Sequence, residues 1–262
     1  MKAKKIIGSI LFALGLVLLW QLLYMASVDW LSWAKPYAVP YPAGVWESFT
    51  RLLADGTLFT AVFNSLLRVL AGFGIAIILG TILGILILQS NYLNTNLKPV
   101  ILGIQTLPSI CWVPFAILWF GLSESAIIFV VVMGSAFGIA MGVENAVKNV
   151  PPLYIKAAQT MGISKRQLYT KVIFPAALPS LIGSLKQGWS FAWRALMSGE
   201  VMSASAGLGY TLIIGRDLSD INQVMTVMLI IILLGIVIDK GIFSTWENHL
   251  LRKRGLLEKR AG

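Results

Sequence analysis

Charge is scarce in this sequence, and what there is leans to one sign. Asp, Glu, Lys and Arg make up 12% of 262 residues, where a water-soluble domain carries about 25%. That shortage excludes a chain whose whole surface faces water. Cysteine occurs once, at Cys111, so no internal disulfide or multi-cysteine metal centre is available. Histidine also occurs once, at His249 in a charged C-terminal stretch, and the carboxylates are scattered. No catalytic cluster, metal site or cofactor site is therefore expected. A GxxxxGK[ST] phosphate loop is absent, so this chain cannot hydrolyse ATP by that device. The net charge of +10 does not describe a nucleic-acid surface. Basic residues sit in gaps between apolar runs, not in a stripe interleaved with aromatics.

Long apolar runs are what the sequence has in abundance, with 57% hydrophobic residues and a mean hydropathy of +0.81. A membrane-crossing helix needs about 20 mainly apolar residues. Six runs meet that length: Ile6 to Met25, Val69 to Leu88, Val100 to Phe120 (with Pro108 and Pro114), Ser125 to Val143, Ala176 to Gly199, and Asn222 to Phe243. The first exceeds the apolar core of a cleaved signal peptide, about 7–15 residues, and "YMASVDW" is a poor cleavage site, so it reads as an uncleaved helix. The second continues a helical pattern from Leu58, longer than a bilayer is thick, which puts its turns up to Arg68 in the outer interface. The expected fold is all-α, a polytopic membrane protein with six transmembrane helices.

Six spans place both termini on one side, and the cations say which. Lys2, Lys4, Lys5, Lys98, Lys148, Lys156, Lys165, Arg166, Lys171, Arg252, Lys253, Arg254, Lys259 and Arg260 fall on the side of the termini, against Lys35, Arg51 and Arg216 opposite. Lys and Arg accumulate in cytoplasmic segments, so the termini are cytoplasmic. The segment from Asp29 to Thr57 is then external, with prolines, interfacial aromatics and a short amphipathic helix around "VWESFTRLL".

Two features concern packing. Gly72, Ala76, Gly80 and Gly84 recur every four residues in the second run, as do Gly134, Gly138 and Gly142 in the fourth. Such rows let helix backbones approach closely, for plain packing or for a moving, solute-lining surface. In the fifth run Lys186, Ser190, Trp193 and Arg194 share one helix side. Charge at mid-bilayer costs at least about 2.5–3.5 kcal/mol, so this side should face a partner subunit or a wet cavity. Glu200, Asp217 and Asp239 are the available counter-charges. Gln105, Pro108, Ser109, Trp112, Trp189, Ser190, Trp193 and Arg194 are the candidate pathway residues, being polar, aromatic or kinking positions of the third and fifth runs.

Between the fourth and fifth runs lies the longest internal cytoplasmic loop, residues 144–175. "NVPPLYIKAAQTMG" supplies a proline-led helix stopped by Gly162, and "ISKRQLYTKVIF" supplies a second short helix ended by Pro175. Ala157 and Ala158 form a small, smooth patch suited to a groove on another protein, and the basic residues around it would hold it near the inner leaflet. The loop is either such a docking element or an ordinary connection.

Here the residues resemble a known family. Lys156, Ala157, Ala158, Gly162, Val172, Phe174 and Pro175 stand at the spacings of the Glu-Ala-Ala…Gly…Ile-x-Leu-Pro pattern of bacterial ABC importer permeases, with Lys156 reversing the charge of the pattern's Glu. "NSLLRVLAGFGIAIILGTILGIL", "LPSICWVPFAILWFGLSE", "FAWRALMSGEV", "GLGYTLIIGRDL" and "ENHLLRKRGL" are similar to the nitrate, sulfonate and taurine importer permeases over nearly the whole chain. The resemblance implies one permease domain over residues 1–262 in the inner (plasma) membrane. It further implies a second permease subunit forming a homodimer, two separate ATP-binding subunits docked at Lys156, Ala157, Ala158, Gly162 and Pro175, and an external solute-binding protein. The implied cargo is an alkanesulfonate, taurine or nitrate. A permease for a neutral heterocyclic vitamin precursor is the alternative, and an ion-coupled secondary transporter, which would want carboxylates inside its spans, is a more distant one.

Overall fold

A computed structural model of the protein describes residues 2–203 and 205–253. Arg254, Lys259 and Arg260 lie outside the described residues, as do the side chains of Lys2, Lys4, Lys5 and Lys253. Every regular element among the described residues is helical: α1 Lys2–Met25, α2 Pro42–Ala54, α3 Thr57–Gln89, α4 Asn91–Gln105, α5 Val113–Phe120, α6 Glu124–Lys148, α7 Pro152–Thr160, α8 Lys165–Gln167, α9 Phe174–Val201, α10 Leu208–Asp217, α11 Ile221–Ile238 and α12 Thr245–Lys253. Five continuous helical stretches are long and apolar enough to cross a bilayer: Leu11–Trp30, Thr57–Gln89, Glu124–Lys148, Lys165–Val201 and Ile221–Arg252. The sixth expected span is no straight helix. Asn91–Gln105 and Ser109–Phe120 meet at 101°.

The proline content explains that bend. Pro108 disfavours helical backbone at Leu107, is itself extended at ψ 139°, and opens the 3₁₀ turn Ser109–Trp112. Pro114 then sits in the first turn of α5, where its missing N–H costs nothing.

Two compact units make up the chain, residues 1–64 with 206–232 and residues 65–205 with 233–262. In the first, the Trp20 indole donates to the Pro40 carbonyl, and Thr226 Oγ1 donates to the Val45 carbonyl at 3.0 Å. Gly44 lets α2 lie against Asn222, since a Cβ there would fall 2.4 Å from its side chain. Arg51 on α2 pairs with Asp220 just before α11 at 2.7 Å.

The second unit is built on α6 and α9. The small-residue rows account for both of its close approaches. A Cβ at Gly134, Gly138 or Gly142 would collide with Ala195, Phe191 or Ser184 of α9. One at Gly72, Gly80 or Gly84 of α3 would collide with Val131, Ile139 or Val143 of α6. Of the two uses open to these rows, the contacts are those of helix packing.

Buried ion pairs fasten the same unit. Arg68 is 3% exposed and holds Glu200 (0%) and Glu124, each at 2.9 Å. Both Glu200 oxygens also accept from the Ser65 hydroxyl. Arg68, expected in the outer interface, is an internal clamp of this unit. Glu144, also 0% exposed, accepts from Lys98 of α4 at 2.9 Å and from Lys148 one turn along α6.

Candidate functional site

All four candidates of the third run share a cavity with one of the four from the fifth. Gln105, Pro108, Ser109 and Trp112 line a space of about 320 Å³ together with Arg194 of α9, and Met133, Gly134, Phe137 and Phe191 complete much of the wall. The proline break brings this about. It turns the chain so that the end of α4 and the start of the 3₁₀ turn look into one space instead of lying a helix turn apart. Ser109 and Ser198 hydroxyls meet at 3.1 Å, tying the bend to α9. Met133, Phe137 and Phe191 carry no sequence signal beyond hydrophobicity and were missed. Gly134 was visible as part of its row.

The other three candidates lie elsewhere. Trp189 and Trp193 are buried, stacked on one another with centroids 6.1 Å apart, and Trp189 meets Phe73 edge-on at 5.3 Å. They fill the interior of the unit and do not line the cavity. Ser190 is exposed and gives its hydroxyl to the Lys186 carbonyl. The counter-charge of Lys186 is Asp239, at 3.3 Å, with Ser244 Oγ at 3.1 Å. Asp239–Ser244 is a π-helical turn, whose i to i+5 spacing brings its first and last residues over one another, and both reach the ammonium. Glu200 belongs to Arg68, and Asp217 to its neighbour Arg216.

The loop expected over 144–175 departs from its sequence reading in two ways. Gly162 does end α7, with φ +71°, a conformation that a side chain resists. Pro175, however, ends nothing. The helix from Lys165 passes through a π turn at Leu168–Ile173 and continues as α9, with Pro175 in its first turn. The π turn absorbs the break in hydrogen bonding that a proline imposes on the preceding turn. Ala157 and Ala158 are not one patch either. Ala158 is 1% exposed and turned inward, on the side from which Ile155 reaches the cluster of Ala146, Val150, Ile173 and Ala177. The outward face consists of Leu153, Tyr154, Ala157 and Met161, all exposed, with Lys156 beside them.

Residues 53–244 match the family of inner membrane components of binding-protein-dependent transport systems. The chain belongs to that family. It is an ABC importer permease and a multi-pass protein of the inner membrane. Among similar proteins, a putative ABC transporter permease of Methanocaldococcus jannaschii is 35% identical over 79% of this chain and 78% of its own length. The putative aliphatic sulfonates transport permease SsuC of Escherichia coli is 33% identical over 86% of this chain and 84% of its own. The nitrate import permease NrtB of Synechocystis is 27% identical over 87% and 83%. In fold, the permease resembles a chain of the MetNI methionine ABC transporter in an inward-facing conformation, with TM-score 0.62 at 22% identity, covering 74% of this chain and 96% of that one. A subunit of this family transports and does not itself catalyse.

Proposed function

We propose that two copies of this chain enclose the pathway of an importer driven by two separate ATP-hydrolysing subunits and supplied by an external solute-binding protein. On this reading the ATPase grips the loop at 144–175. The observation that carries it is the outward face of α7. A soluble loop has no reason to keep Leu153, Tyr154, Ala157 and Met161 uncovered unless another protein covers them. The same loop carries the positive charges of Lys156, Lys165, Arg166 and Lys171. Ile155 and Ala158, turned inward, anchor the helix so that a push on its outer face reaches α6 and α9. Gly162 and Pro175 shape the loop without touching the partner.

The cargo on this reading is a small anion such as an alkanesulfonate, taurine or nitrate, in keeping with relatives named for aliphatic sulfonates and for nitrate, and the cavity at the bend is its pathway. Co-purification tests the docking. Ala157→Trp and Met161→Glu, on the outer face, should lose the ATPase subunit while the permease still inserts into the membrane. Retention of the ATPase by both variants would refute this reading of the loop. A ligand screen on the partnering binding protein identifies the cargo.

A further inference from the structure

Arg194 differs from three other cations of the second unit's helices. Arg68, Lys98 and Lys186 each have a carboxylate within 3.3 Å. Arg194 has none among the described residues, although a charge in a membrane span is costly and is retained where it has work to do. Its guanidinium is nevertheless held in place. Nε donates to the Ser190 carbonyl at 3.0 Å, and the group lies over the Phe191 ring, 5.1 Å from its centroid. Phe191 is in turn wedged against Gly138, where a Cβ would stand 2.8 Å from the ring. The terminal nitrogens have no partner among the described residues, and the residue is exposed on the wall of the cavity at the bend.

A fixed guanidinium with its forked edge free matches two oxygens of an oxyanion. Gln105 and Ser109 add an amide and a hydroxyl on the same wall. The rest of that wall, with Leu107, Trp112, Met133 and Phe137, is mostly apolar, and its one further hydroxyl, Thr106, is given to the Gly103 carbonyl. A bare, strongly hydrated inorganic anion would lose water there and gain few contacts, whereas a short hydrocarbon tail would be well received. We infer that Arg194 is the specificity-determining residue of the permease and reads the head group of an organic monoanion, a sulfonate or carboxylate with a small apolar body. This inference rests on the anion reading of the cargo and narrows it.

The test uses the complete transporter, permease with ATPase and binding protein, in proteoliposomes, with pentanesulfonate and nitrate as probes. Wild type should take up pentanesulfonate in preference to nitrate. Arg194→Gln should lower pentanesulfonate uptake at least tenfold, and Arg194→Lys, which keeps the charge but not the fork, should fall between. Equal uptake by wild type and Arg194→Gln overturns the role of Arg194 while leaving an anion importer standing. Wild type that ignores both anions but imports a neutral solute overturns the anion reading itself.

A second measurement needs no variant to assemble. Cys111, the only cysteine of the chain, is exposed in the turn that carries Ser109 and Trp112. Pentanesulfonate should slow its labelling by a maleimide in the wild-type complex, and nitrate at the same concentration should slow it less. Labelling that pentanesulfonate does not slow overturns the inference.

Discussion

Glu144 and Glu200 have no exposed surface, and each pairs with a cation that the sequence holds far away: Lys98 lies 46 positions before Glu144, and Arg68 lies 132 before Glu200. Removing one member of a buried pair leaves the other charge stranded, which costs about 3–5 kcal/mol. Glu200→Gln should therefore lower the thermal unfolding midpoint of the detergent-solubilised protein by several degrees. Arg51→Met breaks a pair whose arginine is 53% exposed, so it should cost under about 1 kcal/mol. A larger effect from Arg51→Met than from Glu200→Gln would reverse this ranking. Asp220 also makes stability depend on pH. Burial favours its protonated form, but the Arg51 guanidinium and the Gln223 backbone N–H outweigh burial and lower its pKa. A carboxyl whose folded pKa lies below its unfolded value, about 4, contributes stability at higher pH that is lost as pH falls through the lower value. The unfolding midpoint should drop below about pH 4, and Asp220→Asn should flatten that drop. None of these partnerships was legible in the sequence. Charge spacing along one helix can be read, but Arg68 meets Glu200 only because α3 and α9 come together in space.

At the scale of elements, close approach makes its own prediction. A Cβ at Gly134 would lie 2.6 Å from that of Ala195, whereas one at Gly103 in α4 meets nothing within 4 Å. Gly134→Ala should destabilise by about 1–3 kcal/mol, the usual range for overpacking. Gly103→Ala should be neutral or stabilising by up to about 1 kcal/mol, because alanine favours the helix. Both are read from unfolding midpoints. The glycine rows, the long second helix and the turn at Gly162 could be found from sequence because spacing and backbone freedom are local properties. The destination of Pro175 could not. A proline ends a helix or begins one according to the hydrogen bonding before it, and the π turn at Leu168–Ile173 has no pattern in residue types. The bend at Pro108 was foreseen as a kink, but its size was not, because the angle follows from the 3₁₀ turn and the packing of α5.

For the whole molecule, orientation is the property on which the rest depends. In a Cys111→Ala background, Ala157→Cys should react with a membrane-impermeant maleimide only from the cytoplasmic side, and Tyr37→Cys only from outside; the reverse pattern would overturn the assigned direction. The spans were the most legible features of all. Hydropathy is summed over many residues, so no single misreading alters them. The cavity at the bend was half legible. Its polar residues attract notice in an apolar run, while its hydrophobic wall looks like any other core.

The break between α4 and α5 carries a consequence for the lipid around it. A helix that stops within an apolar stretch leaves main-chain carbonyls and amides uncommitted, and the turn bonds from Thr106 to Gly103 and from Leu107 to Ile104 answer only some of them. Hydrocarbon cannot serve the remainder, so either water in the cavity or a neighbouring protein surface must. A break of this kind therefore has to be screened from acyl chains on its open side, which a straight helix of the same composition would not require.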